Sequence, residues 1–306
     1  MNTTSSTEIL QTLSNAIQQV AESTSPSVVS VRSDRGNGTG FVWDEQGHVV
    51  TAYHVIRGLE DVEVLSDDGK TFTAKVVGHD RTADIALLKV EGSLRPIQRG
   101  ESESLKIGQF VLALANAFGS RASATSGIIT GVKRNTGGWW GVQVDDAIVT
   151  DARVNPGYSG GPLVDASGKV VGMNVALISS RGVAIPIQKV SEVVERIASG
   201  KPTGRAYLGI ISNPVQLPER ATRLEQVKQE YGLLVVSVEV GSPADRVGLV
   251  LGDVLLGFDG NSVGGFHDLT RQLTQEKVGK QVRLQILRAG KPEELTITPG
   301  AAAESE

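Results

Sequence analysis

The sequence contains no cysteine, few aromatic residues and no long apolar run. The absence of cysteine from all 306 residues excludes disulfides, zinc–thiolate sites and a thiol nucleophile. No stretch approaches the ~18 uninterrupted apolar residues of a membrane-spanning helix, so the sequence predicts no membrane segment. It also contains neither a P-loop nor an H-E-x-x-H motif, and therefore predicts no requirement for ATP, a metal or another cofactor.

Neither sign of charge dominates the chain. Thirty basic and 34 acidic residues give a net charge of -4, which favours a soluble globular protein that does not bind nucleic acid. The first cationic residue is Arg32, so the N-terminus lacks the basic start of a secretory signal. The sequence as written predicts a cytoplasmic protein, with the periplasm or cell envelope as the alternative if Met1 is not the natural start.

The N-terminal segment has a helical pattern. Ile9, Leu13, Ile17 and Val20 recur on one face of a helix. A helix that docks on its own domain is the favoured interpretation, and an oligomer contact is the alternative.

The rest of the chain divides into two regions with different patterns. From residue 27 to about 187, many short runs rich in Val, Ile and Leu are separated by turn signals, which favours an all-β barrel or sandwich. The strands predicted from these runs are Val28–Val31, Gly40–Trp43, His48–Ala52, Val62–Leu65, Thr73–Val77, Ile85–Val90, Phe110–Ala115, Ile128–Val132 and Val170–Val175. A helix is predicted at Ile187–Ile197, and a Gly- and Pro-containing linker follows it. Beyond the linker, strands alternate with a short helix opened by Ser242-Pro243 and a longer one across His267–Gln275. The predicted segments are an N-terminal helical segment (1–25), a β domain (26–198), a linker (199–205), an α+β module (206–298) and a disordered tail (299–306).

The stretch Asn155–Leu163, "NPGYSGGPL", has three possible interpretations. It satisfies G-x-S-x-G, the pattern of the α/β-hydrolase nucleophile. It could equally form the oxyanion turn of a β-barrel serine protease or a glycine-rich surface turn. An α/β-hydrolase presents its residues in the order Ser, acid, His, with a helix after the serine. Downstream of Ser159 the only histidine is His267, in the second module, and Gly160-Gly161-Pro162 begins a helix poorly, so this interpretation fails.

The upstream histidines allow the order His, Asp, Ser. His48 follows a turn glycine and His79 lies in a predicted loop, so both are predicted to be solvated. His54 ends an apolar strand, where a polar ring requires a partner. Asp84 begins another apolar strand and requires a partner for the same reason. An Asp84–His54 pair would set the imidazole tautomer, although each residue alone could be an ordinary structural one.

Four ordered motifs together resemble the HtrA/Deg family of serine proteases. The intervals between His54, Asp84 and Ser159 are also similar to those of the family, and the resemblance extends over about residues 24 to 298. The motifs are Thr51-Ala52-Tyr53-His54-Val55, Thr82-Ala83-Asp84-Ile85-Ala86-Leu87-Leu88-Lys89, Thr125-Ser126-Gly127-Ile128 and Thr150-Asp151-Ala152-Arg153-Val154-Asn155-Pro156-Gly157-Tyr158-Ser159-Gly160-Gly161-Pro162-Leu163.

The resemblance implies a mainly β protein, with a chymotrypsin-like double β-barrel protease domain followed by an α+β PDZ domain. In such an enzyme Ser159 is the nucleophile, His54 the general base and Asp84 the residue that orients His54. The backbone N–H groups of Gly157 and Ser159 form the oxyanion hole.

Two further expectations concern the substrate cleft. The family usually has Asn where this chain has Tyr158, and a ring beside the nucleophile is expected to narrow the cleft. The predicted pocket walls carry no carboxylate, which argues against trypsin-like specificity and fits a small or medium aliphatic side chain, a preference that the resemblance also implies. The predicted pocket residues are Val154, Asn174, Ala176, Leu177, Val183 and Ala184.

The second module contains a segment that resembles the carboxylate-binding turn of PDZ domains. The N–H groups of Leu208, Gly209 and Ile210 would hold a peptide C-terminus, and Leu269 and Leu273 would border the side-chain slot. Taken alone, these residues are equally an ordinary strand entry and core leucines.

The favoured function is an ATP-independent serine endopeptidase of protein quality control that cleaves unfolded or damaged polypeptides. Its partners are then misfolded chains and C-terminal peptides, and a homotrimer is possible, although the short aromatic N-terminal segments that often trimerise such proteases are missing. The alternative is a catalytically weak or idle peptide-binding adaptor or chaperone that retains the protease fold.

Overall fold

The chain forms two compact units, residues 1–201 and 202–306, each described here by itself. The computed structural model describes the following residues: 6–33, 36–117, 119, 122–136, 144–175, 182–200, 206–224, 227 and 229–301.

Two closed six-stranded antiparallel barrels make up most of the first unit. The first barrel has the strand order β1-β2-β3-β6-β5-β4, and the second has the order β10-β11-β12-β9-β8-β7. The first-barrel strands are β1 (Val28–Ser33), β2 (Gly36–Val42), β3 (His48–Ala52), β4 (Asp61–Leu65), β5 (Thr71–Asp80) and β6 (Ile85–Val90). The second-barrel strands are β7 (Phe110–Ala115), β8 (Ser123–Thr136), β9 (Val144–Thr150), β10 (Pro162–Asp165), β11 (Val170–Val175) and β12 (Gly182–Pro186).

Strands β3, β6 and β7 are buried on both faces, which explains why they are near-continuous apolar runs in the sequence, whereas β4 and β5 also have exposed positions. Val49 packs inside the first barrel, whereas the adjacent Val50 joins a cluster to which both barrels contribute. In the second barrel, Ala113 packs inside the barrel and the adjacent Leu114 joins the shared cluster. Because successive side chains point to opposite faces of a strand, β3 and β7 each supply both their own barrel and the contact between the barrels.

The last helix of the first unit packs on the shared cluster. The predicted helix at Ile187–Ile197 is present as α3 (Ile187–Ala198), and five of its apolar side chains are buried against the barrels. A four-residue helix, α2 (Tyr53–Ile56), follows β3 directly, and a 3₁₀ turn at Ser25–Ser27 precedes β1.

The N-terminal helix only partly follows its prediction. In α1 (Ser6–Thr24), Ile17, Val20 and Ala21 pack against the shared cluster, as expected for a helix that docks on its own domain. Ile9 and Leu13 lie on the preceding turns and remain 57% and 51% exposed. The apolar stripe is therefore longer than the surface of the first unit that it covers.

The second unit is an α+β module. One sheet has the order β14-β15-β16-β18-β19, with β17 paired to β16, and β13 pairs with β20. Its strands are β13 (Ala206–Tyr207), β14 (Ile210–Gln216), β15 (Tyr231–Val238), β16 (Val254–Phe258), β17 (Asn261–Ser262), β18 (Val282–Arg288), β19 (Lys291–Ile297) and β20 (Gly300–Ala301).

The helices of the second unit were predicted with different success. The short helix α5 (Pro243–Arg246) begins as predicted, because Ser242 Oγ accepts a hydrogen bond from the Asp245 N–H. The longer helix was predicted to reach Gln275, but α6 (Phe266–Gln272) ends earlier, because ψ of Leu273 is 55° and leaves the helical range; a 3₁₀ turn follows at Gln275–Lys277. A further short helix is α4 (Glu219–Thr222).

An ion pair between a buried carboxylate and a partly exposed arginine makes the stability of the second unit depend on pH. The Asp253 side chain is 1% exposed, and Arg288 donates to it from Nε at 2.9 Å and from Nη2 at 2.7 Å. Burial raises the pKa of Asp253, but hydrogen bonds from Arg288 and from the Val250 N–H outweigh burial and hold the pKa below its ordinary value. A lowered folded-state pKa means that this stabilisation is present above the ordinary carboxyl pKa of about 4 and is lost as pH falls through the lowered value.

We expect Arg288→Gln to lower the unfolding free energy of the second unit by about 2 kcal/mol at pH 7, because it removes the charged hydrogen-bond donor of a buried carboxylate. The loss should shrink at acidic pH, where Asp253 is protonated. Hydrogen exchange of β16 and β18 peptides in urea, at both pH values, measures it. Arg271→Gln is the control, because Arg271 is 79% exposed beside Asp268 and should change little. An equal loss for Arg288→Gln at both pH values would contradict the prediction.

Candidate active site

His54 and Asp84 are brought together by the pairing of two neighbouring strands. β3 and β6 run antiparallel, with Ala52 opposite Ile85. The chain leaves β3 two residues before His54 and enters β6 one residue after Asp84, so both residues lie at the same edge of the first barrel. His54 Nδ1 is 2.7 Å from Asp84 Oδ2.

Asp84 contacts His54 through more than its carboxylate. Its Oδ1 accepts a hydrogen bond from the His54 backbone N–H at 2.9 Å, and its carbonyl oxygen accepts one from the Tyr53 N–H at 3.1 Å. To make these contacts Asp84 adopts φ of 56°, in the left-handed region where few residues other than glycine are found. Its side chain is 1% exposed, so the carboxylate is held in one position and water barely reaches it.

The Asp84 carboxylate also determines the tautomer of His54. An ionised carboxylate only accepts hydrogen bonds, so the neutral imidazole carries its proton on Nδ1 and leaves Nε2 as an acceptor. With its side chain 28% exposed, His54 lies at the boundary between the barrel and solvent. The pair can therefore receive a proton at Nε2.

Ser159 lies in the turn between β9 and β10 and is 5% exposed. Its carbonyl oxygen accepts a hydrogen bond at 3.0 Å from the N–H of Thr39, which belongs to the first barrel. At the next residue, Gly160, φ is 82° and a Cβ would lie 2.6 Å from Thr51 Oγ1 and 2.7 Å from Ala52 N. Only glycine fits against the end of β3, so the serine turn contacts the barrel edge that carries His54.

The other two histidines upstream of Ser159, His48 and His79, have partners that the sequence did not indicate. His79 lies in β5 rather than in a loop, and its ring stacks on Tyr53 with centroids 4.4 Å apart. His48 Nδ1 lies 2.7 Å from Asp44 Oδ2, with 18% of its side chain exposed, so it is paired rather than solvated. Burial raises the pKa of Asp44, but hydrogen bonds from His48 outweigh it and lower the pKa. A short Asp–His contact thus occurs twice, and of these two pairs the His54 pair lies beside the serine turn.

Tyr158 points into the second barrel, so the prediction that its ring narrows the cleft is wrong. The residue is 6% exposed and packs with the cluster inside the second barrel, which includes Ala113, Ile148 and Leu163. Burial raises the pKa of its phenol. The tyrosine ring therefore fills the core of the second barrel, while the Ser159 carbonyl oxygen contacts the first barrel through the Thr39 N–H.

We expect Tyr158→Ala to lower the unfolding free energy of the first unit by about 3 kcal/mol, through lost burial and the cavity that it leaves. Urea unfolding followed by tryptophan fluorescence measures this, because all three tryptophans belong to the first unit. Tyr158→Phe keeps the ring and should stay within about 1 kcal/mol of wild type. Unchanged stability of the alanine variant combined with faster substrate cleavage would instead place the ring in the cleft.

Thr39, a residue that the sequence patterns did not single out, is fully buried and contacts the serine turn twice. Besides its N–H contact with Ser159, its Oγ1 donates to the Gly157 carbonyl oxygen at 2.7 Å. Thr39 Oγ1 also accepts a hydrogen bond from the Asn116 N–H at 3.0 Å. A polar residue between Gly38 and Gly40, at the start of an apolar strand, was the available signal.

Comparison with known proteins identifies the family. Residues 38–173 match the trypsin-like peptidase domain family, and residues 220–298 match the PDZ domain family. Protease Do-like 1, chloroplastic, of Arabidopsis thaliana is 38% identical, over 94% of this chain and 72% of that protein. The chain belongs to the HtrA/Deg family of serine proteases. The predicted family and the predicted fold class, a double barrel followed by a PDZ domain, are confirmed.

Other relatives of this HtrA/Deg chain agree. A probable periplasmic serine endoprotease, DegP-like, of Chlamydia trachomatis is 37% identical over 87% of this chain, which spans only 54% of that relative. The solved structure titled HtrA-type protease AlgW with decapeptide has a TM-score of 0.73 at 27% identity and covers 94% of this chain and 99% of its own. A serine endoprotease from Yersinia pestis gives 0.71 at 27% identity, with 94% of this chain and 98% of its own covered.

The comparisons also bear on location. The relatives above are named chloroplastic or periplasmic, so the predicted cytoplasmic location has no support. Within the described residues, no helix is both long and apolar enough to cross a membrane. Nor do those residues include a group of three or more His, Asp or Glu side chains placed to hold a metal ion.

The predicted substrate-pocket residues of this HtrA/Deg chain are dispersed. Val183 packs in the cluster shared by the barrels, and the adjacent Ala184 packs inside the second barrel, so their side chains lie on opposite faces of β12. Asn174 is fully buried, and its Nδ2 donates to the Pro162 carbonyl oxygen at 3.0 Å. Val154 is partly buried against the second-barrel cluster. Ala176 and Leu177 lie outside the described residues.

The predicted peptide-binding residues of the PDZ unit do lie together. Leu208 and Leu269 belong to its core cluster, and Ile210 and Leu273 pack against the same cluster while remaining partly exposed. The Gly209 carbonyl oxygen accepts from the Glu239 N–H at 2.9 Å, and φ of Gly209 is 82°. A Cβ there would collide with the Ser242 side chain, so the turn requires glycine.

Proposed function

We propose that this chain is an ATP-independent serine endopeptidase that cleaves unfolded or damaged polypeptides. The observation that carries the proposal is the contact between the buried Asp84 and His54, at the barrel edge against which the Ser159 turn is held. Family membership adds the chemistry of peptide hydrolysis. The alternative function, an idle adaptor or chaperone, would not need an imidazole with its tautomer set in this way.

The proposed reaction uses three side chains. Ser159 Oγ bonds to the peptide carbonyl carbon while its proton passes to Nε2 of His54. His54 then gives that proton to the leaving amine as the C–N bond breaks, which leaves an acyl group on Ser159. Water repeats the sequence, with His54 as base, and releases the second product. Asp84 keeps its negative charge throughout and stabilises the imidazolium.

The oxyanion hole is proposed to consist of the Gly157 and Ser159 N–H groups. The turn supports this role, because Gly157 adopts φ of 88° and the intervening Tyr158 N–H donates back to the Asn155 carbonyl oxygen at 3.0 Å. These contacts fix the backbone around the nucleophile. Donors that are already oriented stabilise developing charge at no cost of reorganisation during the reaction.

The proposal also includes the cleavage specificity of the protease domain and the binding of C-terminal peptides by the PDZ unit. Cleavage after small or medium aliphatic residues stays a prediction from the sequence, because the described pocket candidates Val154, Asn174, Val183 and Ala184 do not line one common surface. The partly exposed Ile210 and Leu273 border the proposed slot for a C-terminal peptide, beside β14, the edge strand of the described sheet. A homotrimer and a location in the periplasm or cell envelope stay predictions.

The test of the proposal is active-site labelling. A fluorophosphonate should react with wild type at one residue, identified as Ser159 by peptide mapping, and the labelled protein should no longer cleave casein. Prior denaturation should abolish labelling, because the nucleophile depends on the folded His54–Asp84 pair. If wild type neither reacts nor cleaves, even with C-terminal peptides added to activate it, the endopeptidase proposal is wrong and the adaptor function is favoured.

A further inference from the structure

We infer that Thr39 is a positioning residue for the oxyanion hole, acting through its side-chain hydroxyl on the Gly157–Tyr158 peptide group. This inference rests on the proposed function. It assigns to a residue of the first barrel the task of holding a backbone turn that belongs to the second.

The two proposed oxyanion donors lie on either side of one peptide group. The Gly157 N–H precedes it and the Ser159 N–H follows it, so the orientation of the Gly157–Tyr158 peptide decides whether both donors converge. Its carbonyl oxygen accepts from Thr39 Oγ1 at 2.7 Å. Its N–H donates to the Asn155 carbonyl oxygen at 3.0 Å. Both polar groups of this peptide are thus held, one from each side.

A turn built on Gly157 requires such restraint. Its φ of 88° is accessible because glycine has no side chain, and the same freedom makes rotation of the neighbouring peptide inexpensive. Without the hydroxyl, the carbonyl oxygen would lose this donor and the peptide could rotate. A rotated turn would still carry Ser159, but it would not present both N–H groups to the substrate.

Thr39 is itself firmly placed. Its carbonyl oxygen accepts from Thr51 Oγ1 at 2.7 Å, and its own Oγ1 accepts from the Asn116 N–H at 3.0 Å. Since the Asn116 N–H uses an Oγ1 lone pair, the Thr39 proton is directed to Gly157. The residue therefore joins β2, β3 and the segment after β7 to the serine turn, and it is fully buried.

A second buried threonine provides a matched control. Thr150 Oγ1 donates to the Ile128 carbonyl oxygen at 2.8 Å and accepts from the Ala152 N–H at 3.0 Å, and the residue is also fully buried. Replacing either threonine by valine removes one hydroxyl that donates to a backbone carbonyl oxygen and accepts from a backbone N–H. Of the two threonines, only Thr39 contacts the Gly157 carbonyl.

The experiment compares Thr39→Val, Thr39→Ser and Thr150→Val for casein turnover, fluorophosphonate labelling rate and thermal unfolding. We expect Thr39→Val to lower kcat and the labelling rate roughly 10- to 100-fold, somewhat less than removal of an oxyanion donor itself, with KM nearly unchanged. Thr39→Ser keeps the hydroxyl and should stay within about 3-fold of wild type. Thr150→Val should lose similar thermal stability but keep its kcat.

Several outcomes would overturn the inference. It is wrong if Thr39→Val keeps its kcat, if the loss appears in KM, if Thr150→Val loses kcat equally, or if Thr39→Ser fails to rescue. Should the valine variant not fold, Thr39→Ala measured against Thr39→Ser at reduced temperature gives the same comparison. Active wild type with unaffected variants rejects only the role of Thr39, whereas inactive and unlabelled wild type rejects both this role and the proposed function.

Discussion

Replacing Ser159 by alanine is expected to reduce the kcat for casein cleavage about 10⁶-fold, because it removes the oxygen that the His54–Asp84 pair is proposed to activate. The fold should survive, since the contact that holds the turn uses the Ser159 backbone carbonyl and not the side chain. Casein binding should therefore persist while turnover stops. The measurement is fluorescein-casein hydrolysis, with binding followed by fluorescence anisotropy.

The control for this variant is Ser167→Ala. Ser167 is exposed in the turn after β10, where its Oγ donates to Asp165 Oδ1 at 2.7 Å, so the same chemical change is made on the same unit away from the site. It should cleave casein at the wild-type rate. Activity of Ser159→Ala above about one hundredth of wild type would show that the nucleophile is another residue.

Asp84→Asn is expected to lower kcat about 10⁴-fold with little change in KM, because it forces the wrong imidazole tautomer. The oxygen of the introduced amide has to face the His54 backbone N–H, from which Asp84 Oδ1 accepts at 2.9 Å in wild type. The amide NH₂ then faces His54 Nδ1 and can only donate to it. The ring proton moves to Nε2, where it blocks acceptance of the Ser159 proton.

Asp44→Asn is a closely matched control for this substitution. Asp44 Oδ2 lies 2.7 Å from His48 Nδ1, and its Oδ1 accepts from the His48 N–H at 3.2 Å, so the two pairs have nearly the same geometry. The same swap of carboxylate for amide should leave the kcat for casein unchanged at Asp44. Equal losses in both variants would mean that Asp84 acts on folding rather than on the tautomer of His54.

Much of the fold could be predicted because its strands are strongly patterned. The runs at His48–Ala52, Ile85–Val90 and Phe110–Ala115 were predicted as strands and appear with those bounds. β9 and β12 were missed. The sequence Val144–Thr150 contains two adjacent aspartates, and Gly182–Pro186 is bounded by glycine and proline, so neither has the apolar pattern of a buried strand.

The candidate catalytic residues could be predicted because they follow one another along the chain in the order expected of a serine protease. His54, Asp84 and Ser159 were selected by order and local burial, and the pairing of β3 with β6 does bring the first two together. The residues that line the substrate pocket could not be predicted from order in the same way. Whether Val183 or Ala184 faces a cavity depends on the register of β12 against β9 and β11, which local sequence does not specify.

Local patterns in the sequence by themselves indicated a β domain followed by an α+β module, because strand and turn signals are local. The order of a few motifs carried the resemblance to the HtrA/Deg family, and that resemblance implied the double-barrel and PDZ organisation and the triad residues. Only the tertiary structure decided the direction of Tyr158, the partners of His48 and His79, and the contacts of Thr39. Each of these depends on segments that strand pairing and barrel closure bring together. Thr39 and Gly157 are separated by 118 positions in the chain, and no local pattern reports their hydrogen bond.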